Sequence, residues 1–223
     1  MCGRFTQQRP TSELAEIFAA QDLADDPGGH FNVAPTDEAA VVVQREDRRA
    51  VLRFRWGLIP HWAESARIAA RTFNARAETV ASMPAFRDAF RQRRCLVPVD
   101  SFYEWRRDGD ARRPYRIVRE DGAPLVLAGL WAGWRDPGTG EVRRTFTIVT
   151  TEANERVRSL HDRMPVILPP RSWTAWLDVV RTDPGELGGL LVPSDDEPLA
   201  IYAVAPLVNN VRNDGPELVA PLA

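Results

Sequence analysis

The chain begins Met1-Cys2-Gly3-Arg4-Phe5, and the small residue at position 2 suits removal of the initiator methionine. A cysteine left at the terminus carries an amine and a thiol on adjacent carbons, a 1,2-aminothiol that no internal cysteine offers. Toward an aldehyde the amine forms an imine, and the neighbouring sulfur then closes on the imine carbon to give a five-membered thiazolidine. An α-amine titrates at roughly 7.7 to 8, so about a tenth to a sixth of it is nucleophilic at neutral pH. A thiol near 8.5 is less ionised, and neither group needs a large shift to react. All 29 basic residues are arginine and none is lysine, so the α-amine is the only aliphatic amine in the protein. Any Schiff-base chemistry here has to use it.

Further along the chain Asn32-Val33-Ala34-Pro35, Trp56-Gly57-Leu58-Ile59-Pro60, Phe73-Asn74-Ala75-Arg76-Ala77-Glu78-Thr79, Ser101-Phe102-Tyr103-Glu104-Trp105 and His161-Asp162-Arg163-Met164-Pro165 follow in order. Together with the N-terminal motif and Asn210-Val211-Arg212-Asn213, they resemble the SRAP family, the SOS-response-associated peptidase or abasic-site processing proteins. The resemblance spans essentially the whole chain. It implies an enzyme that recognises an abasic site in single-stranded DNA and holds it as a covalent thiazolidine, shielding the lesion from strand cleavage. It also implies that Cys2 is the nucleophile, with Asn74, Glu104 and His161 as the polar groups around it. DNA contacts are implied at Gly3, Arg4, Asn32, Pro35, Trp62, Arg76, Met83, Trp105, Thr150 and Arg163. No cofactor or metal is called for. The implied partner is single-stranded DNA containing an abasic site, including at junctions with duplex, bound by a monomer in the cytoplasm and on the nucleoid.

The chemistry of these residues can be argued apart from the family. An abasic deoxyribose is mostly a closed hemiacetal, so capture requires ring opening, addition at the aldehyde carbon and loss of water, each with a proton transfer. Glu104 lies among Phe102, Tyr103 and Trp105, where burial would raise a carboxyl toward neutrality. The alternative is a strand carboxylate paired with Arg106 or Arg107. His161, ordinarily near pKa 6.5, can shuttle protons, or can be a structural histidine bonded to Asp162. Asn74 offers both a donor and an acceptor for the sugar or the Cys2 amine, and is equally at home in a turn. Arg4, Arg76 and Arg163 can fork onto phosphates, although Arg76 can instead pair with Glu78. Trp62 and Trp105 are candidate stacking platforms. Met83, followed by Pro84, can wedge against a terminal base pair or simply pack the start of a helix.

Two cysteines, Cys2 and Cys95, and three scattered histidines exclude a disulfide framework and a conventional zinc site. No apolar stretch approaches the roughly 18 residues of a membrane helix, and no signal-peptide core follows the early arginines. Net charge is −2, yet residues 45–119 hold 18 arginines against 9 acids. The middle third can therefore present a basic surface on an acidic molecule. Two other functions fit part of the pattern. An N-terminal-nucleophile peptidase or amidohydrolase would use the Cys2 thiol with the α-amine as base. A noncatalytic nucleic-acid-binding module would need only the arginines and aromatics.

To position these groups, the sequence offers strands at Ala39–Val43, Val51–Trp56, Cys95–Val99, Phe102–Trp105, Tyr115–Val118, Leu125–Trp134, Thr145–Thr150 and Leu199–Val204. Thr11 or Ser12 caps a helix with Leu14, Ile17 and Phe18 on one face. Further helices fit Ser82–Arg91, Thr151–Arg158 and Ser172–Val180, and Gln21–His30 reads as a loop. Without regular βαβ alternation, the expected architecture is α+β: one domain over residues 1–223, with a curled or barrel-like, mostly antiparallel sheet and short peripheral helices.

Overall fold

The computed structural model describes residues 2–109, 111–194 and 198–222. Strands are numbered β1–β13 and helices α1–α5 along the chain. The apolar runs of β4 (Glu38–Arg45), β7 (Arg94–Val99) and β10 (Leu125–Arg135) are nearly unbroken because these strands are covered on both faces. They lie side by side between β5 (Arg48–Trp56) and β11 (Val142–Glu152) in the order β5-β4-β7-β10-β11. A parallel pairing of β11 with β5, at Thr145 with Arg55 and Phe146 with Trp56, closes these five strands into a ring. The ring is extended by β2 (Ala20–Asp22) beside β5, and by β6 (Asn74–Arg76) and β12 (Arg163–Pro165) beside β11.

A second, all-antiparallel sheet runs β13 (Leu199–Ala203), β9 (Ala111–Arg119), β8 (Ser101–Asp108), β1 (Phe5–Gln7) and β3 (His30–Val33). Alternation along the strands assigns their residues to two cores. Val41, Val43, Cys95, Val97, Leu127, Phe146 and Ile148 point into the ring and share a core with Phe5, Phe102 and Ile117 of the second sheet. Ala40, Val42, Leu96, Val126, Ala128 and Val149 point outward. They pack against Leu14 and Phe18 of α1 (Thr11–Phe18), Phe90 of α2 (Arg87–Gln92), Trp176 and Leu177 of α4 (Pro170–Leu177), and Leu187 of α5 (Pro184–Gly188). Gly129 is required inside the ring, since a Cβ there would stand 2.7 Å from Val97 Cγ2 and 2.8 Å from Cys95 Sγ. Among the described residues, no helix is long and apolar enough to cross a membrane.

The expected fold class, an α+β arrangement with a barrel-like, mostly antiparallel sheet and short peripheral helices, is the one observed. Several boundaries move for identifiable reasons. Pro10, not Thr11 or Ser12, occupies the N-cap of α1, and Thr11 turns inward, its hydroxyl donating to Asp22 at 2.9 Å. The expected loop at Gln21–His30 contributes strand residues at both ends. The helix expected from Ser82 starts only at Arg87, because residues 79–86 form successive turns interrupted by Pro84. Thr151 belongs to β11, and the expected helix there shrinks to α3 (Glu155–Arg158), capped by Asn154.

Candidate active site

Cys2 leads into β1 and is fully buried. Its place is fixed by aromatic packing: Phe5 meets Trp56 at 4.9 Å between ring centroids, and Trp56 meets Phe73 at 6.0 Å. Trp56 Nε1 also donates to the Phe73 carbonyl at 2.8 Å. Trp56 thereby couples the segment carrying Cys2 to the one carrying Asn74. Each such aromatic pair adds about 0.5 to 1.5 kcal/mol beyond the area it buries. Gly57 makes the turn after Trp56 possible, with φ at +116° and its N–H donating to Phe146 at 2.8 Å.

Asn74 Nδ2 donates to the Cys2 carbonyl at 2.7 Å, while its Oδ1 is buried with no hydrogen-bond partner among the described residues. An unfilled buried acceptor is costly, which marks it as a socket for a donor. The Cys2 thiol donates weakly to the Arg4 carbonyl, with sulfur and oxygen 3.9 Å apart. Burial pushes the thiol well above its ordinary value, and the Glu104 charge adds to that effect. Glu104, on β8, is 2% exposed. Burial holds its carboxyl above the usual range, the Asp162 charge acts in the same direction, and a backbone bond from Trp105 opposes them.

His161 follows α3. The Arg163 N–H donates to its Nδ1 at 2.9 Å, which assigns the proton of the neutral ring to Nε2. Asp162 Oδ1 stands 2.7 Å from the same Nδ1, so protonation of the ring would turn that nitrogen toward the carboxylate. Burial lowers the ring below its ordinary value, and the neutral form dominates at pH 7.

The remaining expected site residues fall into two groups. Arg76, Trp62 and Met83 are exposed, the latter two at 49% and 44%. Pro35, half-buried, sits in the turn after β3, and Gly3 lines an open hollow with Arg4, Trp105, Arg112 and Asn209. The other group is committed within the protein. Arg4 Nη1 donates to Asn32 Oδ1 at 2.8 Å and to the Val208 carbonyl at 2.6 Å. Asn32 is buried, and its Nδ2 donates to the carbonyls of Asn210 and Asn213. Arg163 grips Glu78 with both Nη atoms, at 2.6 and 3.0 Å, and also donates to the Thr150 carbonyl at 2.7 Å. Thr150 itself is fully buried.

Two partners escaped the sequence. Glu78, two residues from Arg76, forms its ion pair instead with Arg163, 85 residues away in the chain. Asn209 accepts from Trp105 Nε1 at 2.7 Å and precedes the Asn210–Asn213 motif by one residue. Both pairings are long-range, and only the motif boundaries hinted at them.

A family model described as SOS response associated peptidase (SRAP) matches residues 1–211. The chain is 38% identical over 222 residues to abasic site processing protein YoqW of Bacillus subtilis strain 168, covering 98% of this chain and 99% of that protein. It is 29% identical over 230 residues to abasic site processing protein YedK of Escherichia coli K12, covering 100% of both. A crystal structure of a protein from Bacteroides thetaiotaomicron matches with a TM-score of 0.90 at 28% identity, over 100% of both chains.

Proposed function

Because the chain belongs to the SOS response associated peptidase (SRAP) family, we propose that it processes abasic sites in DNA, capturing them covalently through Cys2 once Met1 has been removed. The observation that carries this reading is the convergence on one corner of the buried Cys2, the Asn74 amide on its carbonyl, and the Glu104 carboxyl, whose charge adds to the upward push that burial exerts on the thiol. The freed α-amine adds to C1′ of the ring-opened sugar, and the resulting carbinolamine loses water to give an imine. The Cys2 sulfur then bonds to the imine carbon while its proton passes to nitrogen, completing the thiazolidine. The net change is loss of one water.

Each surrounding group suits a step. Glu104, held above the usual carboxyl range, supplies the proton that opens the sugar ring. His161, neutral at pH 7, accepts a proton and can return it. The open acceptor of Asn74 receives the amine. Burial that keeps the thiol protonated favours aldehyde capture, in which nitrogen attacks first, over amide hydrolysis begun by sulfur. Strand cleavage by β-elimination competes only while the imine lasts, so ring closure protects the strand.

The substrate in this proposal is single-stranded DNA, at junctions with duplex in particular, and the protein acts as a monomer with residues 1–223 working as one domain. Arg76 contacts a backbone phosphate. Trp62 and Met83 meet bases, and Gly3, Pro35 and Trp105 shape the entrance. Asn32 and Thr150 act indirectly, by fixing Arg4 and Arg163. The test uses a uracil-containing single strand treated with uracil glycosylase and then incubated with the processed protein. A DNA–protein band should survive heating on a denaturing gel without any reductant. Its absence would overturn the capture reading.

A further inference from the structure

The ladder between β4 and β7 is short. It pairs Val42 with Leu96 and Val43 with Cys95, and the same register carried two residues further would set Ala40 opposite Pro98. Pro98 has no N–H to give to the Ala40 carbonyl, so a pair there would lack one of its bonds. The side-chain amide of Gln7, reaching in from β1, takes that place. Its Oε1 accepts from the Ala40 N–H at 2.8 Å, and its Nε2 donates to the Ala40 carbonyl at 2.8 Å and to the Pro98 carbonyl at 2.7 Å. Gln7 is 5% exposed and Ala40 3%, so bulk water cannot take over these bonds.

A strand of three residues sets its own register poorly. β1 pairs with β8 at Phe5 with Phe102 and Thr6 with Ser101, and its pairing with β3 is irregular between Phe5 and Gln7. Polar anchors such as the Tyr103 N–H on the Arg4 carbonyl, and the Thr6 hydroxyl against that of Ser101, lie within the second sheet. Toward the ring, Phe5 supplies packing against Trp56, which is not directional, and Gln7 supplies three bonds that are. The site itself straddles this junction, since Glu104 comes from the second sheet and Asn74, which donates to the Cys2 carbonyl, comes from β6 beside the ring. A slip of one residue along β1 would move Cys2 by about 3.3 Å and turn its side chain to the other face.

We propose that Gln7 is a positioning residue for the capture reaction: its amide, filling the place that Pro98 leaves in the ladder, pins β1 to the ring and so holds Cys2 against Asn74. This rests on the capture reading for the identity of the reaction. Gln7 follows Cys2 by five residues and acts on it through the backbone of β1. A misplacement of about 1 Å can cost an oriented reaction about 100-fold, so loss of the pin should appear in the rate of adduct formation at saturating DNA and not in affinity for the intact strand.

The test compares the wild type with Gln7→Met, which keeps the length of the side chain and none of its hydrogen bonds, both with Met1 removed. Single-turnover adduct formation at saturating abasic single strand should slow by about 100-fold in the variant, with affinity for the intact strand unchanged. Native-state alkylation with iodoacetamide, mapped by mass spectrometry, separates local from global loosening, because Cys2 and Cys95 are both fully buried. Cys95 is held in the ring by ladder pairs with Val43 and Gly129, so it should label at its native rate while Cys2 labels faster. Gln7→Glu keeps the shape and the acceptor for the Ala40 N–H, but once ionised it faces two carbonyl oxygens with no proton to donate. Its rate deficit against the wild type should deepen as pH rises, which carries the test should Gln7→Met not fold. A native rate at saturation in both variants would overturn the proposal. Equal acceleration of labelling at both cysteines would also overturn it, making Gln7 a general support of the fold. If Cys2 alone labels faster but the wild type forms no adduct, the pin on Cys2 stands and the capture reading fails.

Discussion

Replacing Glu104 with Gln separates what burial does for chemistry from what it does to the fold. The substitution keeps volume and hydrogen-bonding reach and removes only the ability to exchange a proton. At 2% exposure no bulk water can substitute for the carboxyl. The rate of adduct formation at saturating DNA should therefore fall by the roughly 100-fold to 10,000-fold typical of a general acid or base, or about 3 to 5 kcal/mol of barrier. Stability should change in the opposite direction. Glu104 is held above its ordinary 4.5, so the folded protein binds its proton more tightly than the unfolded chain. Wild-type stability then declines as pH rises from about 4.5 through the raised folded value, and is level beyond it. The Gln variant lacks that decline and should gain on the wild type as pH rises. Single-turnover crosslinking against DNA concentration measures the first effect, and urea unfolding from pH 4 to 8 measures the second. A variant that reacts at the native rate once saturated would remove Glu104 from the chemistry. A stability difference independent of pH would refute the burial argument.

Cys2→Ala retains an α-amine and should give no heat-stable adduct while still allowing some imine to be trapped with borohydride; a full yield without reductant would show that sulfur is dispensable. Arg76→Ala should leave the saturated rate intact and reduce the salt slope of single-strand binding by about 0.7, read by anisotropy. Glu78→Gln breaks a bidentate pair whose carboxylate is half exposed, so its stability cost should not exceed about 1 kcal/mol. Since Arg163 holds the Glu78 carboxyl below its ordinary 4.5, that contribution is present above this pH and lost as pH falls through the depressed value. Acid unfolding curves of Glu78→Gln and wild type should accordingly converge at low pH.

The central strands were legible because burial on both faces writes unbroken apolar runs, as in Ala39–Val43 and Leu125–Leu130. Strand β5 was legible for a different reason, its alternation of Leu52, Phe54 and Trp56 with arginines. The short strands were not: β1, β6 and β12 span three residues each, too few for any periodicity, and they exist only because longer strands present edges to them. Yet β1 follows Cys2 and β6 carries Asn74, so the elements that position the proposed chemistry were the least visible ones. The residues themselves were found through their motifs. Their partners were not, because the bonds from Arg163 to Glu78 and from Arg4 to Val208 join distant segments and depend on topology. Arg163 illustrates the consequence: its sequence context suggested an available guanidinium, and the fold commits it to a carboxylate and a carbonyl.

The central claim is that the aminothiol of Cys2 closes a thiazolidine on an abasic sugar. An imine and a thiazolidine have the same mass, so the deciding measurement is mass spectrometry of the N-terminal peptide from the purified adduct, with and without borohydride and iodoacetamide. The account predicts a peptide that begins at Cys2 and carries the sugar remnant less one water, gaining no hydrogen from borohydride and no alkyl group on sulfur. A remnant that takes up two hydrogens, a Cys2 that alkylates freely, or a peptide still beginning at Met1 would contradict it.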